Sequence, residues 1–150
     1  MTRRAPMFSD EHASPEFRLQ IRATAPDIDQ LDHVSNIVYL RWVQQVAAAH
    51  SAAVGLALAQ YQRIGGMFVV RKHEIEYLLP ALLDDQIELR TWVSAFRGAT
   101  SRRQTRLVRM RDGALLARAA TLWAYLARDS GRPVRIPPPV QAAFASPPAQ

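Results

Sequence analysis

The sequence predicts an α+β domain in which an antiparallel sheet curves around one long helix. Three observations predict it. Residues 36–54 carry Ile37, Val38, Tyr39, Leu40, Trp42, Val43, Val46 and Ala47 around most of a helical circumference, the pattern of a buried helix. Four strand-like runs follow in quick succession, at 67–77, 86–96, 101–111 and 114–126. Asp112-Gly113, between the last two, signals a tight hairpin of type I′, with both residues at positive φ, so neighbouring strands are antiparallel. A sheet that must cover so apolar a helix has to wrap it.

Taken in order, residues 1–15 mix Pro, Ser and charges without the apolar stretch of a secretory signal, and are expected to be a disordered tail. Residues 16–22 alternate polar and apolar as a strand with one buried face does, and Pro26 ends it. An acidic loop leads to the helix, where Ser35 or Asn36 can cap the first turn and Gly55 stands where a left-handed residue closes the last. Residues 56–66 read as irregular. Turns fall at 80–85, 97–99 and 112–113, and a further turn at 128–133. Six of the ten prolines follow residue 130, so 141–150 is expected to be a disordered Ala/Pro-rich tail. The plan is one domain, residues 16–140, without repeats or linkers.

Composition narrows the function. A chain of 150 residues can bury roughly 70% of its unfolded surface in one core. The absence of cysteine excludes disulfides, thiolate metal sites and a cysteine nucleophile. Mean hydropathy is −0.13 and no apolar run approaches the roughly 20 residues of a membrane span, so a cytoplasmic protein is expected, with no membrane partner. No pair of histidines stands at ligand spacing, so neither metal nor cofactor is expected. The net charge of +6 comes from 18 arginines and one lysine, scattered along the chain. Without interleaved aromatic and basic strand residues, that charge does not indicate nucleic acid.

The chemistry concentrates between Asp27 and the helix. Asp27, Asp29, Asp32 and His33 lie within seven residues, just before a helix start whose unpaired N–H groups and partial positive charge suit a carbonyl oxygen becoming an anion. A carboxylate beside such a terminus suggests acyl transfer. Asp27 and Asp32 are expected to brace the loop, and His33 either to move a proton or to brace it too. Gln44-Gln45 interrupts the apolar surface of the helix, packing against partners, meeting a second subunit or facing a pocket. Arg71 and His73 share strand parity with Val69, Ile75 and Tyr77, which puts them on the more apolar face, against substrate or a subunit seam. The arginines of 101–111 decorate both faces of their strand; they are solvated or meet an acidic partner.

The stretch DIDQLDHVSNIVYLRW, Asp27 to Trp42, resembles the signature of hotdog-fold acyl thioesterases, the 4-hydroxybenzoyl-CoA thioesterase-like group and the acyl-carrier-protein thioesterases. Residues 73–93 resemble that family's second strand, proline turn and third strand, and 128–133 its closing turn. The resemblance implies a hotdog fold and hydrolysis of an acyl-CoA or acyl-carrier-protein thioester. Asp29 would be base or nucleophile and the Asn36 backbone N–H the oxyanion donor, with His33 in the catalytic set and Tyr39, Arg71 and His73 toward the substrate. It also implies a homodimer or homotetramer with the active site at the subunit seam. Leu31 and Pro80 stand where plant acyl-carrier-protein thioesterases carry asparagine and glutamate, and Gln44-Gln45 leaves no glutamate nucleophile on the helix, so Asp29 is the remaining choice. A non-catalytic acyl-binding module is the alternative. The hydratase relatives need an Asn-Pro and one more residue between Asp29 and His33.

Overall fold

The computed structural model describes residues 6–149. Strand β1 (Phe17–Arg22) leads through a 3₁₀ turn (Ala25–Asp27) and the acidic loop into helix α1 (Asn36–Ala53), followed by a short helix α2 (Leu58–Ile64). Strands β2 (Gly66–Tyr77), β3 (Gln86–Arg97), β4 (Thr100–Arg109) and β5 (Leu115–Ala127) then precede helix α3 (Pro138–Ala145). The five strands form one antiparallel sheet in the order β1-β3-β4-β5-β2. Strands β1 and β2 are neighbours in the chain but lie on opposite edges. The segment joining them must therefore cross the sheet, and α1 does so.

Alternation sets the two faces of the sheet. Leu19, Leu89, Leu107 and Ala117 lie in one register row and pack with Val38, Tyr39, Trp42, Val43 and Val46 of α1 in the main core. Removing that apolar surface from water, at about 25 cal/mol per Å², is what holds the helix to the sheet. The helix is less enclosed than its sequence suggests, because Ile37, Arg41, Gln44, Gln45 and Ala48 form an exposed stripe. Both glutamines are exposed and need no buried partners, and Gln44 also faces a pocket, the cavity among α1, α2, α3 and the sheet.

Three further expectations are corrected. Residues 6–15 do not hang free: Gln104 Nε2 donates to the Met7 carbonyl (2.8 Å), Trp92 Nε1 to that of Glu11 (2.8 Å), and Arg118 stacks 4.1 Å from the Phe8 ring. This segment straps the face of the sheet opposite α1; residues 1–5 lie outside the described residues. At the other end, α3 replaces half of the expected tail: Pro138 and Pro139 fit a first helical turn, where N–H groups are unpaired anyway, and Val140 and Phe144, four apart, bury one face. Finally, the β4–β5 hairpin forms but without a type I′ turn. Only Gly113 (φ 71) has positive φ, and Asp112 turns its carboxylate to Arg109 Nη2, 2.9 Å away.

Candidate active site

The acidic loop is a closed structure. An isolated bridge pairs Ile28 with Val34, and Asp29 N–H donates to the His33 carbonyl (2.8 Å). Val34 N–H reaches the Ala81 carbonyl (2.9 Å), which ties the loop to the β2–β3 connection. Asp32 takes φ 60, the left-handed conformation that Asp tolerates better than most residues. Asp27 braces the loop as expected: one carboxylate oxygen accepts from Thr24 N–H and hydroxyl (2.9 and 3.1 Å), and the other from Arg41 (3.1 Å).

Ser35, not Asn36, is the helix cap; its hydroxyl accepts from Ile37 N–H (3.2 Å). Asn36 becomes the first helical residue, exposed, and its N–H donates to no protein acceptor among the described residues. Asp29 is exposed and helps line an open hollow with Ile28, Gln30 and Leu31. Its Oδ1 accepts from Leu31 N–H (2.8 Å), which leaves Oδ2 without a protein donor. His33 is exposed on the same loop. Asp29, His33 and Asn36 are thus gathered at one end of α1, on an open surface with no wall to hold a substrate.

The other three sequence candidates are placed elsewhere. Tyr39 is 3% exposed, its hydroxyl donating to Leu79 O (3.0 Å) and accepting from Ala81 N–H (2.6 Å), so it braces the β2–β3 connection from inside the core. Burial first, opposed by that backbone hydrogen bond, holds its hydroxyl above its ordinary pKa. Arg71 and His73 do not share a face, because the β2–β5 register slips between Val70 and Lys72 and a bulge takes Arg71 out of the ladder to solvent. His73 pairs with Thr121 in register and its Nδ1 lies 2.9 Å from that hydroxyl, while Nε2 is buried without a partner among the described residues and burial lowers the ring's pKa.

A largely apolar cavity lies at the opposite end of α1. It has a volume of about 230 Å³ and opens among α1, α2, α3 and the sheet, with Ala48, Phe68, Phe96, Trp123 and Phe144 in its walls. Arg103, 5% exposed, lines it too. Arg103 Nη1 donates to His50 Nδ1 (2.9 Å) and Thr91 Oγ1 (3.1 Å). Burial, and secondarily the Arg103 charge, hold the His50 ring down at about 3, so it is neutral and can accept. Neither residue was singled out for this role from sequence. The available signal was positional: Arg103 pairs with Val93, a core residue of β3.

One antiparallel sheet wrapped around a helix, with a carboxylate loop at the start of that helix, defines the hotdog class. The chain belongs to the thioesterase-like superfamily, whose family model matches residues 24–144. It is similar to an acyl-CoA thioesterase, YbgC, of Haemophilus influenzae, 29% identical over 131 residues, 85% of this chain and 93% of that protein. In structure it is similar to a putative oleoyl thioesterase from Lactobacillus plantarum (TM-score 0.83, 21% identity), covering 87% of this chain and 51% of that one; the chain spans about half of that protein's length. A 1,4-dihydroxy-2-naphthoyl-CoA thioesterase from Synechocystis is also similar (TM-score 0.80, 18% identity, 87% of this chain and 96% of that one). No helix among the described residues is long and apolar enough to cross a membrane.

Proposed function

We propose that the chain hydrolyses an acyl-CoA thioester. The carrying observation is the pairing of an exposed carboxylate, Asp29, with an unsatisfied N–H, that of Asn36, at the start of an 18-residue helix. The thioester oxygen takes the Asn36 N–H as its donor, and the helix end favours the negative charge that develops there. Asp29 accepts the proton of the attacking water, or attacks the carbonyl itself. In the first case the water oxygen adds to the carbonyl, the C–S bond breaks and the thiolate leaves, taking the proton from Asp29; in the second the thiolate is expelled to leave a mixed anhydride on Asp29, which water hydrolyses to release the acid and restore the carboxylate. The similarity to the Haemophilus thioesterase supports CoA as the carrier.

The cavity and Asp29 belong to different ends of one chain. Ala48 is 12 residues beyond Asn36, about 18 Å along a helix rising 1.5 Å per residue. Two copies resolve this. Strand β2 is a sheet edge, and an edge strand offers unpaired backbone groups to a second copy. If the whole of Gly66–Tyr77 pairs antiparallel with its symmetry mate, the start of each strand faces the end of the other. Tyr77 adjoins the start of α1, its hydroxyl 3.4 Å from the Asn36 carbonyl oxygen. Met67 and Phe68 line the cavity. The Asp29 loop of one copy thereby meets the cavity mouth of the other, and the working unit is a homodimer.

Thiol release tests the reading cleanly, because a chain without cysteine contributes no background to a thiol reagent. The expected result is turnover of acyl-CoA by wild type and its loss in Asp29→Asn, which keeps the oxygen that Leu31 N–H needs. A second reading, an acyl-CoA-binding module without turnover, is favoured by that same hydrogen bond, which commits half of the Asp29 carboxylate to the loop. Tight acyl-CoA binding with no thiol release would replace the first reading with the second.

A further inference from the structure

Seven arginines, Arg18, Arg22, Arg41, Arg90, Arg106, Arg109 and Arg118, pair with carboxylates on or near the surface. Arg103, more enclosed than any of these, pairs with none among the described residues, although a buried charge needs a counter-charge more than an exposed one does. Its two protein acceptors, His50 and Thr91, are neutral, and the Phe144 ring lies 5.6 Å from its guanidinium carbon. The remaining guanidinium N–H groups reach no acceptor among the described residues. Burial lowers the pKa of Arg103 only to about 10, so it stays cationic at neutral pH.

The walls therefore supply a fixed cation and otherwise mostly carbon. That combination fits a ligand with an apolar body and an acceptor-rich, negatively charged end. We propose that the cavity takes an acyl group whose far end is a carboxylate, and that Arg103 binds that carboxylate and selects it. The substrate class is the monothioester of a dicarboxylic acid. At about 230 Å³ the cavity is smaller than the roughly 300–1,000 Å³ that houses drug-sized ligands, so the body between thioester and carboxylate is short, aliphatic or a single ring. His50 is a positioning residue: its unprotonated Nδ1 holds the guanidinium against the wall. The inference rests on the thioesterase reading of the Asp29 loop, which supplies the chemistry at the mouth.

Binding and turnover separate the two. Calorimetry of the Asp29→Asn protein with adipoyl-CoA and hexanoyl-CoA, which differ in the terminal carboxylate, is expected to show adipoyl-CoA bound at least about tenfold more tightly, the size of one charge-assisted hydrogen bond. Arg103→Gln in the same background is expected to abolish the preference and Arg103→Lys to retain part of it. Ala48→Trp, at an exposed helix position on the cavity wall, is expected to weaken both ligands and keeps the test alive should Arg103→Gln fail to fold. Equal or tighter binding of hexanoyl-CoA overturns the proposal, as does undiminished adipoyl-CoA binding by Ala48→Trp. Thiol release by wild type from either thioester tests the catalytic reading independently. Turnover with no preference for adipoyl-CoA overturns the selection by Arg103 alone, whereas carboxylate-selective binding without any turnover overturns the hydrolase alone.

Discussion

The two ends of α1 differ in almost every physical respect. At its start the polar groups lie at or near the surface and are mostly satisfied by one another: Asp27 by Thr24 and Arg41, half of Asp29 by Leu31, Ser35 by Ile37. At its far end a cation is enclosed, held by neutral groups and left without a counter-charge. The first region has reactive groups and no walls. The second has walls and no reactive group. Each lacks what the other holds, and this complementarity argues for a site built by two chains more directly than exposed apolar surface does.

The sharpest way to break that comparison is Asp29→Asn, expected to cost about 10³-fold in kcat by thiol release, within the range for losing a general base, while the melting temperature stays near that of wild type. Next comes a mixing experiment. Ala48→Trp alone is expected to lose most activity, as is Asp29→Asn alone, but co-refolded they should recover activity that neither has, because one site of the mixed dimer pairs an intact Asp29 with an open cavity. No recovery would mean that each chain works by itself.

A third test acts on the enclosed end through pH. The His50 ring is held at about 3 in the folded chain, against about 6.5 when unfolded. The unfolded state thus binds the extra proton first, so this group leaves stability untouched above pH 6.5 and erodes it as pH falls from 6.5 toward 3. The slope approaches about 1.4 kcal/mol per pH unit in that window. Urea unfolding at pH 7 and pH 5 should show it, and His50→Gln should flatten it. The smallest effect belongs to the open end: Ser35→Ala removes the α1 cap and should cost about 1 kcal/mol, read as a drop of a few degrees in melting temperature.

Much of this was legible in the sequence, and the parts that were not share a cause. Strands β1 to β5 and helix α1 follow from local periodicity and lie within a residue or two of expectation. Helix α2, helix α3 and the strap at residues 6–15 are held by contacts with distant chain, such as the Trp92–Glu11 bond and the burial of Phe144, which no local pattern encodes. Three consecutive prolines also disguise α3 as an extended tail. The loop of Asp29, His33 and Asn36 was visible because its residues are close in sequence. Arg103 was not, because five arginines in eleven residues read as a solvated strand, and only the pairing with Val93 and the packing of His50 show that one of them points inward. The Arg71 bulge hid a parity break for the same reason, since a strand alone carries no record of its partner's register.

The strap across the outer face bears on assembly. A sheet has two faces and two edges by which copies can stack or join. Here α1 occupies one face and residues 6–15 lie over the other, where Asp10 meets Arg106 and His12 stacks on Trp92. Copies that met back to back would have to displace that segment and break its bonds to Trp92 and Gln104. Back-to-back stacking of copies is thus opposed by residues 6–15, and a shortened chain beginning near residue 16 would bare an aromatic, arginine-rich surface able to associate in ways the full chain does not.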